Sequence, residues 1–212
     1  MTASRAASLA VVIAAFGGSL LLGDVNLSIL VGVIVTAIAA LGLDVLVART
    51  GELSLAHAAF LGVGAFTAVN VGSRGAPWPV AMAAAVAVSA AAATLAGLPS
   101  LRIRGLQVAI ATLAFQEVAE VFLFSRSDVT AAGRTWSRPS FLLSDVRLYL
   151  FAIALLVLVL VVRRRVGVTK AGRSFLAVRD VQDRAACFGV EPGPSKLLAY
   201  ALSGAILSLI HI

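Results

Sequence analysis

Charge is what this chain has least of. Only 13% of its 212 residues are Asp, Glu, Lys or Arg, while 60% are apolar and the mean hydropathy is +1.02. Soluble domains carry about a quarter charged residues, so this balance excludes a water-soluble globular domain and points to a membrane protein crossed by many helices. Cysteine is nearly absent too. Cys187 stands alone and cannot form an internal disulfide, and His57 and His211 are the only histidines, so no cluster has metal-ligand spacing. Redox and metal chemistry are excluded on that ground. Aromatic residues make up 7%, and no basic run is interleaved with them, which excludes nucleic acid as a partner despite the net charge of +7. Lysine is limited to Lys170 and Lys196 among 17 basic residues, and with abundant alanine this points to a GC-rich bacterial genome.

Long apolar runs are plentiful. A bilayer core of about 30 Å needs about 20 mostly apolar residues per helix, and candidate spans lie at 7–23, 27–48, 53–72, 78–98, 105–125 and 147–163, with a seventh starting near 196. Arg5 followed by an apolar run ending in small residues also fits a signal peptide. Further spans follow at once, however, so an uncleaved first helix is expected. The expected fold is therefore all-α, one transmembrane helical bundle over 1–212, with about six complete spans and an incomplete seventh. Basic residues set its orientation. If 163–196 is cytosolic, alternation brings Arg5, Arg49, Arg102 and Arg104 to the same side and leaves Arg74, Arg126, Arg134, Arg138 and Arg147 outside. The reverse orientation would put the Arg163–Arg165 cluster outside. An inner-membrane protein with a cytoplasmic N-terminus follows.

Small residues mark the inner helices of the bundle. In AMAAAVAVSAAAATLAG at 81–97 they let backbones approach closely where lipid supplies no hydrophobic drive. In 53–72, Ser54, Ala58 and Gly62 recur every fourth residue, and Gly64, Ala68 and Gly72 form a second such row. Both rows are candidate packing faces.

Ionisable residues inside spans are rarer and more informative. Glu117 and Glu120 share one face of 105–125, whose ten Leu, Ile, Val and Phe residues favour insertion by about 3–6 kcal/mol while two central acids oppose it by about 5–7 kcal/mol. Such a helix barely inserts alone. The carboxylates are expected to face a polar cavity or a partner group in the bundle, either as substrate-pathway or gating residues or as structural hydrogen bonds to a neighbouring helix. His57 is a further pathway candidate, although a lone intramembrane His is more often structural than a proton relay. Glu52 is assigned to the first turn of its helix, where the dipole favours a negative charge. Asp44 is placed near the cytosolic interface.

One polar stretch interrupts the apolar pattern. In GRSFLAVRDVQDRAACFG at 172–189, Phe175, Val178, Val181, Ala185 and Phe188 recur at helical spacing among Arg173, Arg179, Asp180, Gln182, Asp183 and Arg184, and Gly189 fits a helix stop. A short amphipathic cytosolic helix is expected, with Arg179–Asp183 and Asp180–Arg184 pairs along it. Its mixed charge suits a protein docking surface better than anionic lipid. The nearby GVTKAGRS at 167–174 falls short of a P-loop, because Arg173 replaces the phosphate-binding Lys and a membrane span precedes it in place of a buried strand. ATP hydrolysis by this chain is excluded.

Three segments together carry a resemblance: GLDVLVARTGELSLAHAAFLGVGAF at 42–66, LRIRGLQVAIATLAFQEV at 101–118 and GRSFLAVRDVQDRAACFGVEPGPSKLLAYALSGA at 172–205. In sequence, order and membrane placement they resemble the branched-chain amino acid permeases of bacterial ABC importers, over about residues 30–206. The third segment is similar to the coupling helix through which such permeases engage their ATPases. The resemblance implies that the apolar face of 172–189, with Phe175, seats in an ATPase groove, that Arg173, Arg179, Asp180, Asp183 and Arg184 set its orientation, and that Gly189 ends it. It also implies ATPase subunits carrying the ATP and Mg, a second permease subunit and an extracytoplasmic solute-binding protein as partners, with no cofactor in this chain. Glu52 stands where the family usually has Gln, Ala56 where it has Gly, and SDVTAAGRTW at 127–136 replaces a loop that typically reads T-G-G. Branched-chain amino acids, urea and short amides all remain open as solutes. A proton-coupled secondary transporter using Glu117 and a membrane scaffold without transport are the readings from other classes. From Leu207 the family pattern stops, and LSLIHI at 207–212 reads like a translated sequencing adapter. The last span is therefore expected to be truncated, and His211 carries no functional argument.

Overall fold

The structure, a computed structural model, describes residues 24–127, 129–130, 139 and 142–210. The span expected over 7–23, with Arg5, most of the loop 127–136, and His211 lie outside the described residues.

All regular structure among the described residues is helical. The helices are α1 (Asp24–Thr50), α2 (His57–Ser73), α3 (Trp78–Gly97), α4 (Leu106–Val118), α5 (Asp145–Val168), α6 (Lys170–Cys187) and α7 (Pro192–Leu207). The 3-10 turns Leu98–Leu101 and Ser208–Ile210 extend α3 and α7, and a π turn, Ala119–Leu123, extends α4. Five of these stretches are long and apolar enough to cross a membrane: Leu27–Thr50, Trp78–Leu101, Leu106–Leu123, Asp145–Val168 and Pro192–Ile210. They match expected spans to within a few residues. The span expected over 53–72 differs, since α2 has only 17 helical residues, about 25 Å of rise, and the six residues before it are not helical.

α7 is the most deeply buried of the five and packs against α3, α1 and α2, while α1 also lies along α5. Small residues set the α3–α7 spacing. A Cβ added at Gly204 would lie 2.6 Å from Ala93 Cβ and 2.7 Å from the Ser89 carbonyl oxygen, and one at Gly97 would lie 2.6 Å from the Tyr200 ring. Only hydrogen fits in either place. Ser89, fully buried on α3, directs its hydroxyl at the carbonyls of Phe60 on α2 and Gly204 on α7, at 2.8 and 2.9 Å. In α2 the row Gly64, Ala68 and Gly72 is buried. The other row does not form one face: Ser54 precedes the helix, Ala58 is exposed, and Gly62 packs beneath the Phe124 ring.

α5 and α6 meet at a turn capped by Thr169, whose hydroxyl accepts from Gly172 N–H at 3.3 Å. A Cβ at Gly172 would overlap the Val166 carbonyl oxygen. α6 ends as expected at Gly189, with φ +77, a conformation that favours glycine. It is not one straight helix, because Val181 has φ −152 and ψ 97 and divides it in two.

Candidate functional site

α1 stops at Gly51, whose φ of +70 turns the chain out of the helix. Gly51–Ala56 then runs without helical structure, with Glu52, Ser54 and Ala56 buried and Leu53 and Leu55 about half exposed. Irregular backbone between membrane spans is tolerated only where protein satisfies its polar groups. Here Leu55 N–H donates to Thr112 Oγ1 on α4 at 3.0 Å, and Glu52 N–H donates to the Leu46 carbonyl at 3.1 Å.

The Glu52 carboxylate meets Lys196 of α7, with Nζ to Oε1 at 2.6 Å and side chains 8% and 2% exposed. Lys196 Nζ also donates to the Ser100 carbonyl at 3.1 Å, in the turn between α3 and α4. Glu52 therefore does not sit in a helical first turn facing a dipole, as its sequence position implied. It neutralises a buried ammonium, and the family's usual Gln is here replaced by a charge with an opposite charge waiting for it. Sequence reasoning missed Lys196, although an ionisable residue inside an apolar run was the signal that could have found it.

His57 is braced rather than wired. Its Nδ1 lies 3.1 Å from the Ser54 carbonyl and its Nε2 lies 3.5 Å from Ser203 Oγ, which itself donates to the Gly42 carbonyl at 2.9 Å. Ser203 and Gly42 are not titratable, so no onward proton path leaves His57 along these contacts.

Glu117 and Glu120 are both exposed, on a helix whose Leu106, Ile110, Val118, Val121 and Phe122 are also exposed at 55–71%. Among the described residues no partner group meets either carboxylate, because α4 lies at the edge of the described helices and turns that face outward. With the carboxylates outward, the insertion cost remains for something outside the described residues to offset. An apolar cavity of about 320 Å³ opens along the end of the same helix, lined by Phe115, Val118, Ala119, Phe122, Leu123 and Arg126.

α6 lies across one end of the bundle. Phe175, Val178 and Ala185 are buried against the chain itself, Phe175 within the main core, so this apolar face is not free to enter a partner's groove. Leu176 and Val181 are exposed at 41% and 43% and Phe188 at 87%, alongside exposed Arg173, Asp180 and Arg184. The break at Val181 falls inside both expected i, i+4 pairs, and Arg179 and Asp183 bond elsewhere. Arg179 Nη1 donates to the Ala48 carbonyl at 2.6 Å, at the end of α1, and Arg104 Nη2 reaches Asp183 Oδ1 at 3.0 Å. The Arg104 guanidinium holds the Asp183 carboxyl below the usual carboxylate range. Asp44, Arg49 and Arg163 gather at the same end, with Arg163 paired to Asp44 at 2.7 Å and Arg49 at 4.0 Å from it. Arg49, Arg104 and the 163–196 segment thus share one end of the molecule, as alternation of spans requires.

Comparison with known proteins gives a consistent result. Residues 25–207 match the family model described as branched-chain amino acid transport system / permease component. The high-affinity branched-chain amino acid transport system permease protein LivM of Salmonella typhimurium (strain LT2) is 31% identical over 196 residues, covering 78% of this chain and 46% of the relative. Its counterpart of the same name in Escherichia coli (strain K12) is 30% identical with the same coverage. The chain thus spans about half the length of the curated relatives it matches. No solved structure matches the chain significantly.

Proposed function

This chain belongs to the branched-chain amino acid transport permease family, and from that premise we propose that it is a membrane-spanning subunit of an ATP-driven importer, with the α6 end of the bundle in the cytosol. The observation that carries the reading is α6 itself. A chain of apolar helices presents at one end a polar helix that is anchored on one face and open on the other. A separate ATPase, holding the ATP and Mg, would dock on the open face through Phe188, Leu176 and Val181, with Arg173, Asp180 and Arg184 around them; buried apolar anchors ringed by charge carry most of the affinity at such surfaces. Phe175 belongs to the support beneath that face, and Arg179 and Asp183 fix the helix to its own chain. Motion delivered at α6 would then reach the helices as rigid-body displacement.

The outward face of α4 fits contact with a second permease subunit, since Glu117 and Glu120 are too costly to leave in lipid and would line a polar path between the two subunits. A solute-binding protein outside the cell would deliver the solute, for which branched-chain amino acids are proposed ahead of urea or short amides. The test is uptake into proteoliposomes holding the assembled complex. ATP inside the vesicles without a proton gradient should drive leucine accumulation, reduced by excess valine and not by urea. Uptake that needs a proton gradient, ignores ATP and is lost in Glu117→Gln would establish the secondary-transporter reading instead.

A further inference from the structure

We propose that Glu52 and Lys196 are a positioning pair that passes displacement of α6 to the non-helical segment Gly51–Ala56, and through it to α2 and α7. The inference rests on the ATP-driven reading for its meaning in transport, but its structural content stands on the geometry of this chain.

The two halves of α6 reach this ion pair from opposite sides. From the first half, Arg179 grips the carbonyl of Ala48, and its Cγ would lie 3.3 Å from a Cβ on Gly51, so movement there bears directly on the residue beside Glu52. From the second half, Asp183 holds Arg104, which ends the stretch that begins at the 3-10 turn Leu98–Leu101, and the Ser100 carbonyl of that turn accepts from Lys196. Both routes close on Lys196 and Glu52, and the break at Val181 lies between their origins. Bending α6 at Val181 therefore displaces both supports of one buried ion pair.

The pair also governs the least regular backbone in the bundle. Glu52 sits next to Gly51 at the start of the non-helical segment, and at its far end Leu55 hangs on Thr112 and His57 on Ser54 and Ser203. With side chains 8% and 2% exposed, neither charge can be released to water without moving the segment or α7. Interfaces of this sort are bistable, so small shifts at α6 become a discrete change in segment position. A purely structural pair predicts something different, because replacing both members with apolar residues of similar size is commonly neutral or stabilising.

That difference supplies the test. In the assembled complex, with Cys187→Ser as background and Leu53→Cys as reporter, compare Lys196→Met, Glu52→Gln and the double variant Glu52→Leu/Lys196→Met. Two quantities are measured: solute moved per ATP hydrolysed, and the change in thiol labelling of Leu53→Cys when ATP is added. The double variant, which buries no unpaired charge, should assemble and hydrolyse ATP yet lose about tenfold in solute per ATP, with the ATP-dependent change in labelling abolished. Glu52→Gln keeps an acceptor for Lys196, which can shed its proton when buried without a counter-charge, and should retain both properties within about threefold. A double variant with unaltered solute per ATP and unaltered labelling response overturns the proposal, as does one that fails to assemble. Should the unmutated complex move no solute on ATP, the importer reading fails, while the labelling comparison between Glu52→Gln and the double variant, made on the chain in membranes with α6 crosslinked or free, still decides the positioning role.

Discussion

Arg163 and Asp44 face each other in parallel, with Nε to Oδ2 at 2.7 Å and Nη2 to Oδ1 at 3.1 Å, and this two-pronged contact ties the end of α5 to α1. Both side chains remain partly open, at 34% and 25% exposure, so the pair has solvent or headgroups to fall back on. Asp44→Asn should therefore cost about 1–3 kcal/mol, in the range of hydrogen bonds to charged groups, rather than abolish folding. A thermal melt of the detergent-solubilised chain reads the loss, and the double variant Asp44→Asn/Arg163→Gln should lose less than the two single changes added together.

The contact of α3 with α7 has no spare volume at Gly204. Gly204→Ala places a methyl group against Ala93 and the Ser89 carbonyl, both on a helix face that cannot retreat independently, and should destabilise by about 1–3 kcal/mol. Gly32, where nothing lies within 4 Å of the added Cβ, is the matched control, and Gly32→Ala should leave the melt unchanged or slightly raised.

Two phenylalanines of α6 should separate cleanly. Phe175→Ala removes a fully buried ring and should cost about 3–5 kcal/mol of stability. Phe188→Ala, altering a ring that is 87% exposed, should leave the melt within about 0.5 kcal/mol and weaken ATPase binding about tenfold or more. Pull-down of the ATPase by the two variants, scaled to folded chain, distinguishes them, and equal retention of the ATPase by Phe188→Ala would remove that ring from the docking face.

Asp183 supplies the pH dependence. Its folded carboxyl titrates below its ordinary value because Arg104 donates to it, so the link between α6 and the turn before α4 is complete above the ordinary carboxylate range and is lost as pH falls through the lowered folded value. Carbon-13 NMR of labelled Asp183 in nanodiscs should show this titration displaced downward, and Arg104→Gln should return it to the usual range. Both groups are exposed, so the melt should change little across that window.

Much of this architecture can be read from residue pattern. Gly189 closes α6 as its place after an amphipathic run implies, and the alanine-rich segment 81–97 becomes the close-packed α3, because both depend on local chemistry. The non-helical segment 51–56 was not legible. Leu53, Leu55 and Ala56 raise the hydropathy of 53–72 just as a helix would, while the cause of the break lies in Lys196, Thr112 and Ser203, which approach only in the folded chain. Val181 was hidden for the opposite reason: it keeps helical spacing, and its break lies between Arg179 and Asp183, whose partners outside the helix meet them only in the folded chain. Phe175 illustrates a third limit. Periodicity shows that a face is apolar, but not whether this chain or another one covers it.

The turn from α5 into α6 leaves no room for even a methyl group between Gly172 and Val166. A joint that tight cannot act as a loose tether. The orientation of the first half of α6, up to the break at Val181, is inherited from α5, so a small tilt of the long membrane helix would swing Arg179 near the end of that half through a wider arc, and a push there would return to α5 as torque, in the manner of a crank on its shaft.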